Sequence, residues 1–172
     1  VPLNATNLVE WLASYDNCSG ILINWQTFGT SNVRRVPDDA LLIETLVNQT
    51  PTDAKINHYR KSIVRPECVK YCNDPHSLVY YPWCCGVDPD KHLLQRKFHT
   101  QRGVKVDKIR INHYTMRDEE FLYEHKLARF DKWGTGQQRE SCIEFNKLAN
   151  SQYNGEILKY AEALRNLKGS TH

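Results

Sequence analysis

An α/β domain with a helical carboxyl-terminal tail is the fold this sequence predicts, on three observations. Short apolar runs, Ile21-Leu-Ile-Asn-Trp25 above all, have the length and side-chain branching of buried strands. Helical periodicities alternate with them along the first part of the chain. After Tyr114 only helical patterns follow. Mixed elements first and helices alone afterwards indicate a sheet covered by a helical tail, in one domain without a linker.

The elements follow in order. A helix runs from Asn7 to Tyr15 and is capped by Asn4 or Thr6. Gly20 releases the chain into the strand Ile21–Trp25. The segment Gln26–Pro37, with its Gly, Ser, Asn, Arg and Pro, is a loop. Asp38 or Asp39 then caps a helix that continues to Val47. Lys61-Ser-Ile-Val-Arg-Pro66 is a strand ended by its proline, and His76–Tyr81 is another. Asp88-Pro-Asp-Lys91 starts a short helix with Pro89 in its first turn. From Asp107 to Tyr114 Ile109 and Ile111 alternate, giving a strand with one buried face that delivers His113 to its carboxyl end. Three helical patterns, Arg117–Lys132, Gln137–Asn150 and Gly155–Leu167, complete the chain. The tetrapeptide Ile-Asn-His-Tyr occurs at Ile56 and again at Ile111, but in surroundings so different that it marks no repeat.

The totals bound the function. A chain of 172 residues, 40% hydrophobic and 25% charged, with eight Gly and seven Pro, builds a real core and is not a disordered segment. Its net charge of +3 comes from scattered basic residues, so no nucleic-acid partner is expected. No apolar run reaches the roughly 18 residues of a membrane span. Val1-Pro-Leu-Asn4 has neither the basic start nor the apolar run of a signal peptide. Opening on Val rather than Met reads as a fragment, and a membrane anchor is expected only upstream of it.

Six cysteines leave the redox compartment open. Cys68, Cys72, Cys84 and Cys85 suit one or two disulfides between the first pair and the second, or free thiols. With His76 they also offer enough ligands for zinc, although the spacing is not that of a common zinc module. Glycosylation sequons stand at Asn4, Asn17 and Asn48, the last weakened by Pro51.

The chemistry concentrates in Asn24-Trp-Gln-Thr-Phe-Gly29. Trp25 and Phe28 at a strand end form an apolar platform for the C–H faces of a sugar, with Asn, Gln and Thr beside them for its hydroxyls. The competing reading makes both rings core residues.

Taken in order, Trp25-Gln-Thr-Phe-Gly-Thr-Ser31, Lys61-Ser-Ile-Val-Arg-Pro66, His76, and Ile111-Asn-His-Tyr114 followed by Glu119-Glu-Phe121 and Lys126 resemble the carboxyl-terminal half of a family 92 glycosyltransferase. That group is similar to galactosyltransferases of the GT-A, Rossmann-like fold. The likeness covers Val1–Trp133, which makes residues 1–133 the acceptor-side part of a GT-A domain and residues 134–172 a helical tail packed on it.

The resemblance implies transfer of a hexose, galactose by preference, from a nucleotide diphosphate sugar to a glycan hydroxyl with inversion. It implies Mn²⁺ or Mg²⁺ as cofactor, and a Golgi lumen in a eukaryote or the cytoplasm in a bacterium or virus. In such enzymes an Asp-x-Asp motif holds the cation, joined by a histidine that His113 matches. The motif itself stands upstream of the point where this chain begins. Asp88-Pro-Asp90 has the right letters in the wrong order and is read as a helix cap. Glu44 is the first choice for the base that takes the acceptor proton, and Asp39 the second. Trp25, Phe28 and Gly29 hold the acceptor, while Lys61 and Arg65 reach the diphosphate. Two other functions stay open: a remnant that binds carbohydrate without transferring it, and a small zinc-binding interaction domain.

Overall fold

A computed structural model of the chain describes residues 7–74, 76–94 and 103–169. Helix α1 (Leu8–Ala13) leads into strand β1 (Gly20–Thr27), then α2 (Leu42–Thr45) and β2 (Asn48–Gln49). Strands β3 (Arg60–Val64), β4 (Val69–Asp74), β5 (Ser77–Tyr80), β6 (Gly86–Val87) and β7 (Ile111–His113) follow. Helix α3 (Glu119–Phe121) continues as a π-helix over Leu122–Leu127 into α4 (Ala128–Trp133). Helix α5 (Gly136–Ala149), strand β8 (Gln152–Tyr153) and α6 (Ala161–Gly169) complete the order. The fold is therefore mixed α/β, and no helix among the described residues is long and apolar enough to cross a membrane.

The chain divides into two compact units, each built from two separate stretches. The first unit combines the residues up to Gln26 with Thr52–Asn112; the second combines Thr27–Pro51 with the residues from His113 onward. The helices after Trp133 thus share a unit with His113–Trp133.

In the first unit β1 lies between an antiparallel β3 (Ile21 opposite Ile63, Ile23 opposite Lys61) and a parallel β6 (Gly20 opposite Gly86), and β7 also pairs with it. Ile21 and Ile23 fall on one face of β1 because side chains alternate along a strand, and they meet Tyr15, Val87 and Ile109 in a core flanked by Trp11 and Leu12. The other face is buried too. There Asn24 donates to Asn57 O (3.0 Å) and accepts from Lys105 N (3.2 Å), so its amide clamps two loops. The hairpin β4–β5 forms a separate two-stranded sheet. Its root reaches β1, since a Cβ on Gly20 would stand only 2.6 Å from the Tyr80 hydroxyl.

In the second unit Met116, Leu122, Leu127 and Cys142 form the core, with Phe130, Ile143 and Phe145 against it. Helix α5 opens on a reciprocal cap in which Thr135 accepts from Gln138 N (3.2 Å) and Gln138 accepts from Thr135 N (3.0 Å). At its other end Asn146 and Asn150, one helical turn apart, grip the loop that leaves β1. The Asn146 amide oxygen accepts from Thr30 N (3.1 Å) and that of Asn150 from Ser31 N (2.7 Å). Both side-chain NH₂ groups donate to the Thr30 hydroxyl.

Several local expectations are corrected. Asn7 caps α1, accepting from Glu10 N at 2.8 Å; Asn4 and Thr6 lie outside the described residues. The helix expected from Asp38 to Val47 shrinks to four residues after Leu41, because Leu46 turns into the core as a fully buried side chain and the chain must straighten for β2. Asp88-Pro-Asp-Lys91 is a tight turn and not a helix: Lys91 N donates to Asp88 O (2.9 Å), and Lys91 takes the left-handed φ of 65°. Strand β4, which carries no alternation, is an addition.

Candidate functional site

The second unit contains a cavity of about 400 Å³ between residues 35–42 and residues 117–125. Its construction starts at β7. His113 O accepts from Phe28 N (3.0 Å), and Tyr114 packs on Phe28 with ring centroids 4.8 Å apart. Lys126, half-buried on the π-helix, donates its ammonium to Thr115 O (2.8 Å) and to the Thr115 hydroxyl, so this motif lysine fixes the turn after His113. Burial holds the Lys126 ammonium below its ordinary pKa. Arg117 then adopts a φ of 53°, which throws its guanidinium over the Phe121 ring at 4.9 Å.

Asp118 ties the two walls together. Its carboxylate caps α3 by accepting from Phe121 N (2.9 Å) and also accepts from Val36 N (3.0 Å). Burial pushes its pKa up, but these backbone donors and the nearby Arg117 outweigh burial and leave it lowered. Glu119 N and Glu120 N donate to Val33 O and Arg34 O (2.9 Å each), strapping residues 33–36 to the start of α3. The lining therefore carries guanidinium groups at Arg35 and Arg117, carboxylates at Asp38 and Glu120, the His125 imidazole and the Phe121 ring. Arg35 stands 3.7 Å from Glu120 and 3.8 Å from Asp38, loose exposed pairs that a ligand can replace at little cost. Donors, acceptors and an aromatic ring thus surround one hollow. The π-turn at His125 fits the frequent placement of such distortions at functional sites.

The residues expected to act are placed as follows. Asp39 is exposed on the loop beside the cavity, between the lining residues Asp38 and Ala40. Glu44 is occupied: Arg165 grips it with two hydrogen bonds (2.9 and 2.5 Å), and it accepts from Leu41 N (3.3 Å). The Arg165 guanidinium, with the Leu41 amide, holds the Glu44 carboxyl below its ordinary 4.5. A lowered carboxyl pKa stabilises the fold above 4.5, and this contribution disappears as pH falls through the lowered value. The thermal midpoints of the wild type and Glu44→Gln are accordingly expected to converge on acidification below 4.5. A gap that stays constant down to about pH 2 would remove the ion pair from the stability of the fold.

The expected platform is corrected. Phe28 is 0% and Trp25 8% exposed, and residues three apart on a strand point to opposite faces. Trp25 packs instead with Tyr59 (5.4 Å) and His76 (5.1 Å) inside the first unit. Gly29 answers a packing need: a Cβ there would lie 2.8 Å from the carbonyl carbon and oxygen of Ala149. Arg65 donates to Cys18 O (3.2 Å) and Asp16 O (2.5 Å), holding the turn after α1, and Lys61 sits half-buried on β3.

For a cation, Asp88, Asp90 and His92 bring three ligand atoms within 4.8 Å of one another. Their chemistry is already satisfied. Asp88 accepts from Asp90 N and His92 N (2.9 Å each) and pairs with the His92 ring (3.2 Å). Lys108 and Lys105 each hold Asp90 at 2.9 Å and bring its pKa down to about 2. Both ammonium groups are on Asp90, so a divalent ion taking these three ligands would have to displace them and draw Asp88 from the His92 ring. Among the described residues no other group of three metal-ligand side chains gathers, around His113 or around the cysteines. Of the sequons, Thr50 is fully buried and donates to Thr27 O, Asn17 is exposed, and Asn4 lies outside the described residues.

Arg35, Arg117 and His125 were not singled out from the sequence, whereas Glu120 and Phe121 stood inside the motif Glu119-Glu-Phe121. Asp118, the cap before that motif, also carries a local signal. No family model matches this chain, nor does any curated protein or solved structure.

Proposed function

We propose that this chain is the acceptor-side portion of a GT-A hexosyltransferase resembling family 92, and that the cavity of the second unit receives the glycan acceptor. The observation that supports this reading is the cavity itself, walled by the stretch after Ile111-Asn-His-Tyr114 and by the loop that carries Asp39. Arg35 and Arg117 donate to ring hydroxyls, and Phe121 offers its face to C–H groups. Asp39, or the lining carboxylates Asp38 and Glu120, accepts the proton that the attacking hydroxyl gives up. Glu44 would first have to leave Arg165, which places it behind Asp39 in this role.

In this reading the donor is a nucleotide diphosphate sugar such as UDP-galactose. Bound Mn²⁺ or Mg²⁺ would neutralise the departing diphosphate, with His113 as the ligand from this chain. One imidazole is not a cation site by itself, and the cavity residues act on the acceptor without it. The second reading, a module that holds carbohydrate and transfers nothing, uses the same cavity.

Titration with a hexose-terminated oligosaccharide, followed by amide chemical shifts, is the test. Shifts are expected at Asp38 and Arg117–Phe121. Arg117→Ala and Glu120→Gln are expected to weaken binding about tenfold each, the worth of one good polar contact, with the thermal midpoint unchanged. No shift in the wild type, or wild-type affinity in both variants, would discard the site. Binding without transfer from UDP-galactose in the presence of Mn²⁺, assayed on a longer chain that also carries a donor-side Asp-x-Asp segment, selects the second reading.

A further inference from the structure

The hairpin β4–β5 buries little of its own surface. Five of the six residues of β4 are exposed, and an isolated two-stranded hairpin is marginally stable in water. What lies at its base is a pair of cysteines. Val69 is opposite Tyr80, and one step further out Tyr81 N donates to Cys68 O (3.0 Å), so Cys68 and Tyr81 face each other across the ladder. The chain then makes a tight turn, Tyr81-Pro-Trp-Cys84, closed by Cys84 N to Tyr81 O (2.9 Å). Such a turn returns Cys84 to within about 7 Å of Tyr81 between Cα atoms, on the doorstep of Cys68. Trp83 is stacked on Tyr81, with ring planes 6° apart and centroids 5.3 Å apart, which stiffens the turn.

The neighbouring Cys68 thiol, with burial, holds the Cys84 thiol above its ordinary pKa, against an opposing pull from Ser19. Both cysteines are half-buried and free, whereas Cys72 and Cys85 are exposed. Cys72 stands at the far end of β4, opposite Leu78, with its thiol donating to Asp74 O (3.2 Å). Of the two sequence-level pairs, geometry thus joins one member of each.

We propose that Cys68 and Cys84 are a redox pair whose disulfide staples the base of the β4–β5 hairpin. The oxidant is a small disulfide such as oxidised glutathione. One cysteine thiolate attacks it, forming a mixed disulfide and releasing one glutathione thiolate. The second cysteine gives up its proton, attacks the protein sulfur of that mixed disulfide and releases the other glutathione. Two S–H groups are oxidised, one disulfide is reduced to two thiols, and the protons end on glutathione. Closing a loop of this length shifts the folding equilibrium about 100-fold toward the folded state. Because Tyr80 roots the hairpin against Gly20 of β1, the staple would also fasten it to the sheet.

The reduced chain is to be equilibrated with oxidised glutathione, digested, and mapped by mass spectrometry. The expected product links the peptides of Cys68 and Cys84 with loss of two hydrogens, forms equally in Cys72→Ala and Cys85→Ala, and is absent in Cys84→Ala. Proteolysis between Val69 and Tyr80 is expected to slow at least about tenfold on oxidation, reversibly with dithiothreitol. A link through Cys72 or Cys85, persistent glutathionylation of single cysteines, or a pair that stays reduced would each overturn the proposal. This outcome is independent of sugar binding in the second unit.

Discussion

Phe28→Ala is expected to cost about 3–5 kcal/mol of folding stability, as the removal of a fully buried phenyl ring does in other cores. Phe28 has no exposed surface, packs on Tyr114, and sits where its backbone joins His113 and pairs with Gln49. Truncation leaves a cavity among elements that cannot all move in to fill it. A urea titration followed by circular dichroism measures the change as a lower midpoint at unchanged slope. The experiment also separates two meanings of this residue. As a sugar platform Phe28 would cede affinity and keep the midpoint; as a core residue it cedes the midpoint.

Gly29→Ala is expected to cost on the order of 3 kcal/mol, the upper part of the range for overpacking, because the obstacle is backbone. The added methyl would meet the Ala149 carbonyl and the Asn150 side chain. The same shift would break the bonds that Gly29 N makes to Asn48 O (3.0 Å) and Ala149 O (3.1 Å). Since Asn146 and Asn150 hold the next two residues, the damage spreads to the end of α5. Hydrogen exchange gives the specific check: amides at 29–31 and 146–150 should lose protection together. Loss confined to residues 29–31 would show that the helix end is held by other contacts.

What could be foreseen from the letters follows a physical line. Strand β1 writes its burial into an apolar run, and the periodic stretches of α1 and α5 were legible as helices, although the cap of α1 stands at Asn7. Strand β4 was not, because Val69-Lys-Tyr-Cys-Asn-Asp74 buries almost nothing and so leaves no alternation. Asp88 misled for a different reason. A carboxylate that receives two backbone N–H groups has the same local signature whether a helix or a tight turn supplies them, and here the left-handed Lys91 decides for the turn. Trp25 and Phe28 looked like a surface pair because composition does not tell a strand buried on both faces from one ending at a platform. The cavity had the least chance, since residues 35–42 meet residues 117–125 only after the unit has closed. The Glu119-Glu-Phe121 motif pointed to one wall, and nothing local pointed to Arg35 across from it.

The grip of Asn146 and Asn150 on Thr30 and Ser31 spans 116 to 120 positions of chain. During synthesis the loop after β1 therefore leaves the ribosome long before the helix that secures it exists. A unit cannot fold from its leading end when an early loop must wait for a late helix, and contacts of such high order slow the search for the native state. For as long as translation runs, Phe28 and its neighbours are an exposed apolar segment of a nascent chain. The conditions under which this protein is made, chaperone supply and temperature among them, thus bear on its yield.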